Sequence, residues 1–163
     1  MSPSGMDLYV FPSVSLKDIR IGVERKMWAV APIDEPYASL RIPRSRDMPV
    51  GAAGLFYCAA YPEFFTVPFR VESRPENRPI DGVWDERWFL PFSIRPLGEP
   101  SRQVTLAHAH DTWQRLKEVE HVTDAINLVP AMAFASTWFP RIDWDVILEQ
   151  LQINSPDFED SFP

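Results

Sequence analysis

The sequence predicts an α+β protein, with a mostly antiparallel, strongly curved sheet or small barrel carrying helices at one end. Three observations lead there. Short apolar, aromatic and β-branched runs fill the first two-thirds of the chain. Apolar residues at helical spacing dominate the last third, and this segregation is the α+β pattern. The 17 prolines, about twice the usual share, exclude long uninterrupted helices, because proline lacks an amide donor and its ring clashes inside a helix.

The elements follow in order. Residues 7–11, DLYVF, read as a strand. Ser13 or Ser15 then offers a helix N-cap, and Leu16, Ile19 and Val23 fall on one helical face, with Gly22 weakening its end. Residues 27–31 form a second short apolar strand. Residues 32–50 hold four prolines and the cluster Arg41, Arg44 and Arg46, and read as a long irregular loop of the kind that often carries function. Residues 53–59 are apolar throughout, the mark of a buried central strand. Tyr61-Pro62-Glu63 is a turn, and the next run, FFTVPFRV, is a strand in which Pro68 points to an edge or a bulge. A polar loop over 72–85 leads to a strand over 87–95, ended by Leu97-Gly98-Glu99-Pro100.

Beyond that point Trp113, Leu116, Val119 and Glu120 predict a helix from about Asp111, with Asp111 or Thr112 as its cap. Residues 125–138 are alanine-rich and read as helical around Pro130. Residues 143–151 place Trp144, Ile147, Leu148 and Leu151 on one stripe. The organisation expected is a flexible N-terminus over 1–6, a single domain over 7–153 and an acidic, proline-containing tail over 154–163.

The net charge of −7 at first argues against nucleic acid. It is unevenly placed. Residues 1–98 hold 12 basic and 12 acidic side chains, whereas residues 99–163 hold 4 basic and 11 acidic. A local cluster such as Arg41, Arg44 and Arg46 can bind phosphate on an acidic protein; on charge alone a solvated loop is the simpler reading. The single cysteine, Cys58, excludes an internal disulfide and a cysteine zinc site. With no long apolar run and no signal-peptide pattern, a cytoplasmic protein without membrane contact is expected.

Catalytic patterns are missing. No glycine-rich phosphate loop occurs, and Gly51-x-x-Gly54 runs straight into an apolar strand, so it reads as structural. His108, His110 and His121 fall short of a converging metal set, and His108 and His110 read as a solvated segment before a helix. Cys58 reads as a buried, inert thiol, and Asp143 and Asp145 as helix-start acids. No nucleophile, base and orienting group come together, so no enzyme, cofactor or metal is expected. The aromatics are more informative. Of six tryptophans, Trp113, Trp138 and Trp144 read as core, whereas Trp28, Trp84 and Trp88 flank loops, where rings can pack in the core or stack on an extruded base.

The order of segments resembles a known family. The opening strand, then a helix leading into Lys26-Met27-Trp28-Ala29-Val30, resembles the start of EVE domains. Arg44-Ser45-Arg46-Asp47-Met48-Pro49-Val50-Gly51 followed by Leu55-Phe56-Tyr57 is similar to the family's arginine-bearing loop and strand. Phe69-Arg70-Val71-Glu72-Ser73, the strand over 88–95 and the segment 131–151 continue the match, which covers about 7–151. The chain departs at Ala52 and Pro49, where the family has Asp and Lys, and in the acidic insertion over 105–121.

EVE domains belong to the PUA-like superfamily with YTH and ASCH domains, so the resemblance implies a curved β-barrel with a pocket for a nucleobase. It implies a non-enzymatic reader that flips a modified base of DNA or RNA into an aromatic pocket. Trp28, with Ala29 beside it, would form one wall and Trp84 or Trp88 the other. Ser13 and Asp18 would read the base edge, and Arg41, Arg44 and Arg46 would hold flanking phosphates. A separate nuclease or motor effector, in defence or modification sensing, is the partner the family implies. The alternatives are a protein-interaction or small-ligand module without nucleic-acid binding, and an ASCH-like hydrolytic or RNA-processing enzyme.

Overall fold

The computed structural model describes residues 4–152. Along the chain run β1 (Gly5–Ser13), α1 (Leu16–Arg25), β2 (Met27–Val30), α2 (Tyr37–Asp47), β3 (Ala53–Cys58), β4 (Phe64–Val71), β5 (Pro79–Ile80), β6 (Trp88–Pro96), β7 (Gln103–Thr105), α3 (Leu106–Thr112) and α4 (Gln114–Lys117). Two single 3₁₀ turns (Val122–Asp124 and Pro130–Met132), β8 (Thr137–Pro140) and α5 (Arg141–Gln150) complete it. The strands form one mixed sheet in the order β2-β6-β4-β3-β1-β8, with β5 on β6 and β7 on β4, open between β2 and β8. Among the described residues only β1 and β3 pair in parallel; the other ladders are antiparallel. The α+β class and the mostly antiparallel sheet are as the sequence predicts.

The central pair explains the rest. Side chains alternate across a strand, so Leu8 and Val10 of β1 and Leu55 and Tyr57 of β3 enter one core. Tyr9, Phe11, Phe56 and Cys58 enter another on the opposite face. Both faces are covered, which is why β3 carries no polar side chain. The first core is closed by α3, α4 and α5 through Ala109, Trp113, Leu116, Trp144, Ile147 and Leu148. The second is closed by Ile19 of α1, Met48 after α2, and Phe134. Irregularities at Trp28/Val30 and Leu55/Phe56, with left-handed backbone at Val67 (φ 47°) and Leu90 (φ 59°), break the ladders where the sheet bends.

Several expectations need correction. Residues 32–50 contain a helix, α2, with Pro43 inside it. Pro43 forfeits one helical hydrogen bond, but tertiary anchors hold the segment: Arg41 and Ser45 are buried, and Arg44 reaches the carbonyl of Ala131. The helix expected from Asp111 starts earlier, at Leu106, capped by Thr105 Oγ1 accepting from the amide of His108. His108 and His110 therefore lie within α3, and extended backbone at Trp113 separates α3 from α4. Residues 125–138 hold a 3₁₀ turn and the start of β8 in place of a helix. Trp138 is 42% exposed on β8, outside the core expected of it. The loop over 72–85 contains the two-residue β5. β1 begins at Gly5, within the expected N-terminal segment. The acidic tail over 154–163 lies outside the described residues.

Asp143 does more than complement its own helix. It is 1% exposed, and its two carboxylate oxygens accept from the amides of Gln114 (2.6 Å) and Arg115 (2.8 Å), capping α4 from α5. Burial raises its pKa, against the pull of these two amides. Asp143→Ala leaves two sheltered donors unpaired, so we expect a loss of about 2–4 kcal/mol in urea unfolding. A loss below about 0.5 kcal/mol would contradict the cap.

Candidate functional site

The site is built from the strand-to-helix turn at β1/α1. Ser15 Oγ caps α1 by accepting from the amide of Asp18 (3.2 Å), while Ser13 Oγ donates to the carbonyl of Ser15 (3.0 Å). Lys26, left-handed at φ 57°, stops the helix and sends the chain directly into β2. Trp28 is thereby folded back beneath α1. The approach is so close that a Cβ on Gly22 would lie 2.7 Å from Cε3 of Trp28. Gly22, which by propensity only weakens the helix, is the residue that admits the ring.

Trp28 is 2% exposed and meets Phe56 (4.6 Å between centroids), Trp88 (5.1 Å) and Trp84 (5.4 Å), all edge to face. Trp84 and Trp88 stack on each other at 4.1 Å with planes 8° apart. That spacing is direct contact, so no ring fits between them. Trp84 Nε1 donates to the carbonyl of Asp18 (3.1 Å), tying the loop before β6 to α1.

Beside Trp28 lies a cavity of about 150 Å³. Ser13, Asp18, Trp28, Ala29, Arg41 and Trp88 all line it, together with Phe11 and Glu86. A cavity of about this size accommodates one benzene ring. Burial raises the pKa of Asp18, and the neighbouring carboxylate of Asp85 adds to the effect.

The other sequence-predicted residues lie elsewhere. Trp84 is buried behind Trp88 and supports the wall. The three arginines do not form one surface: Arg41 and Arg44, three residues apart on one face of α2, are engaged by backbone carbonyls, and Arg46 lies on the other side. Arg41 is 2% exposed, and its Nη1 donates to the carbonyl of Ala31 (3.0 Å). Arg44 Nη1 donates to the carbonyl of Ala131 (2.6 Å). Arg46 is exposed, and its carbonyl accepts from Arg74 (2.7 Å). Leu128, Pro130 and Ala133 also line the cavity and were not foreseen. They arrive from the last third of the chain through the 3₁₀ turn that Arg44 holds, and no local pattern announces them. Among the described residues, no three His, Cys, Asp or Glu side chains are placed to hold a metal ion, and no helix is long and apolar enough to cross a membrane.

The Gly22–Trp28 contact gives a direct test. Alanine is the better helix former by about 1 kcal/mol, yet Gly22→Ala should destabilise the protein by about 1–3 kcal/mol through overpacking. Urea unfolding followed by tryptophan fluorescence measures this, and a stabilised variant would contradict the packing described.

No protein-family model matches the sequence, and no curated protein matches it. Solved structures do. The YTH domain of Zygosaccharomyces rouxii MRB1, in complex with N6-methyladenosine RNA, aligns at TM-score 0.59 and 18% identity over 96% of this chain and 94% of that one. The Toxoplasma CPSF4 YTH domain, with a 7-mer m6A-modified RNA, aligns at 0.55 and 14% identity over 96% and 97%. Human THYN1, with DNA containing 5-methylcytosine, aligns at 0.53 and 11% identity over 91% and 99%. What is shared at these identities is architecture: the chain has the same fold as these YTH domains and THYN1.

Proposed function

We propose that the protein is a non-enzymatic reader of nucleic acid. It takes a modified base of DNA or RNA, flipped from its stack, into the cavity walled by Trp28 and Trp88. The observation that carries this reading is convergence. Side chains from β1, α1, β2, α2 and β6 meet around a space of single-ring size with aromatic walls and polar groups at its edge. Its fold neighbours in complex with modified RNA and modified DNA support the same direction. Ser13 and Asp18 would read the edge of the base, with Ala29 beneath it.

Stacking contributes about 1–3 kcal/mol per base, so one flipped base gives weak affinity and phosphate contacts must supply the rest. Arg46 is the exposed member of the arginine cluster, and Arg44 is engaged with Ala131. The phosphate footprint is therefore small and the salt dependence shallow. A separate nuclease or motor effector would act on what the reader finds.

A second reading, a small-ligand or protein-interaction module, is favoured by one observation. Two acidic residues, Asp18 and Glu86, line the cavity, and their charge disfavours an anionic ligand wherever Arg41 does not offset it.

Titrating labelled DNA and RNA, modified and plain, against wild type, Trp88→Ala and Trp28→Phe separates the two. Trp28→Phe is used because Trp28 also holds the core. The reader prefers modified strands and loses about tenfold in affinity in Trp88→Ala. Its affinity falls with salt at a slope of only about −0.9 per phosphate contacted on duplex DNA. Equal binding of modified and plain strands would overturn it, and absence of binding to either at low salt would favour the second reading.

A further inference from the structure

Two residues that line the cavity each carry a buried donor without an acceptor. Nε of Arg41 and Nε1 of Trp88 are shielded from solvent, and neither has a hydrogen-bond partner. The residues are 2% and 5% exposed, come from different elements, α2 and β6, and line the same cavity. Donors in such positions are normally satisfied.

Arg41 is also a buried cation without a paired anion. One of its five N–H groups is engaged, by the carbonyl of Ala31. Among the described residues no carboxylate lies within ion-pair distance of it. Burial lowers its pKa, and the charge of Glu35 opposes this. The Glu35 carboxylate accepts from the amide (3.2 Å) and hydroxyl (2.9 Å) of Ser39. Asp18, half-buried, and Glu86, exposed, face the same cavity without pairing with Arg41. A guanidinium does not escape burial by losing its proton. Its counter-charge is therefore best supplied by what enters the cavity.

We propose that Arg41 and Trp88 form an oxyanion subsite within the pocket, and that the favoured ligand is a single-ring base presenting an anionic oxygen to it. Two sources share this chemistry: a carboxylate carried on a modified pyrimidine, and the phosphate of the nucleotide itself. The ring size follows from the cavity of about 150 Å³. Arg41 thus determines specificity from inside the pocket, in place of the surface phosphate role expected of it. The identity of the ligand as a nucleobase rests on the reading proposed above; the subsite itself does not.

Calorimetric titration of the full chain tests this. The probes are 5-carboxy-, 5-methyl- and unmodified 2′-deoxycytidine, 2′-deoxycytidine 5′-monophosphate, N6-methyl-2′-deoxyadenosine, and benzoate as a bare ring with a carboxylate. Wild type should bind the 5-carboxy nucleoside or the monophosphate at least about tenfold more tightly than the 5-methyl nucleoside. Preference for the carboxy nucleoside assigns the oxyanion to the base, and preference for the monophosphate assigns it to the backbone. In Arg41→Gln the ratio should fall to about one, and Arg41→Lys should retain part of it. If Arg41→Gln does not fold, Trp88→Phe keeps a ring, removes the other donor and should lower the same ratio. Absence of the advantage in wild type, or its survival in Arg41→Gln or Trp88→Phe, overturns the subsite. If the advantage is absent while modified nucleosides still outbind plain ones, the reader survives and the subsite falls. If benzoate binds in an Arg41-dependent way while no nucleoside binds, the subsite stands and the reader falls.

Discussion

Trp28 is the side chain on which this architecture turns. It closes the gap between α1, β2, β3 and β6, touching Phe56 beneath and the Trp84–Trp88 stack beside it. Such a ring fits only because Gly22 has no side chain and Lys26 turns the chain sharply. Burying a side chain of this size stabilises by at least the 1.5–3 kcal/mol typical of a large apolar group. The same residue then faces the cavity. Core and pocket wall are one object, so the pocket is preorganised by the interaction that stabilises the second core.

That dual role has consequences for how the site can work. The walls are tied to each other: Trp84 stacks on Trp88 and bonds to α1 through the carbonyl of Asp18. A pocket braced this way discriminates ligands by shape and by the polar groups left unsatisfied, more than by rearranging around them. Nε of Arg41 and Nε1 of Trp88, buried without a hydrogen-bond partner, are the donors that the proposed ligand would satisfy. The acidic last third contributes apolar lining through Leu128, Pro130 and Ala133. The acidic residues that line the cavity, Asp18 and Glu86, come from the first two-thirds.

Much of this was legible in sequence, for physical reasons. β3 declared itself because a strand buried on both faces must be apolar throughout. α1 declared itself through the Ser15 cap and the spacing of Leu16, Ile19 and Val23. Ser13, Asp18, Trp28, Ala29 and Trp88, expected at one pocket, do line one cavity, and Arg41, expected on a phosphate, lines it with them. α2 was hidden because Pro36 and Pro43 oppose a helix locally, and only distant anchors at Ala31 and Ala131 overcome them. The arginine cluster was misleading for the same reason. Adjacent on a loop, Arg41, Arg44 and Arg46 would act together; on α2, Arg41 and Arg44 share a face and are used up on the carbonyls of Ala31 and Ala131, while Arg46 is turned away into solvent. The capping role of Asp143 was out of reach because its partners lie in another helix.

The proposed reader holds a single modified base in the cavity that Trp28 and Trp88, in edge-to-face contact with each other, line side by side. The indole N–H resonances of the six tryptophans report on it directly. Titrating the ¹⁵N-labelled protein with a short modified oligonucleotide should shift Trp28 and Trp88, while Trp113 and Trp144, in the core on the opposite face of the sheet, stay fixed. Trp88 should move most, since its N–H gains an acceptor. Saturating binding that leaves both Trp28 and Trp88 unmoved, or that moves Trp113 and Trp144 as much, would contradict the account.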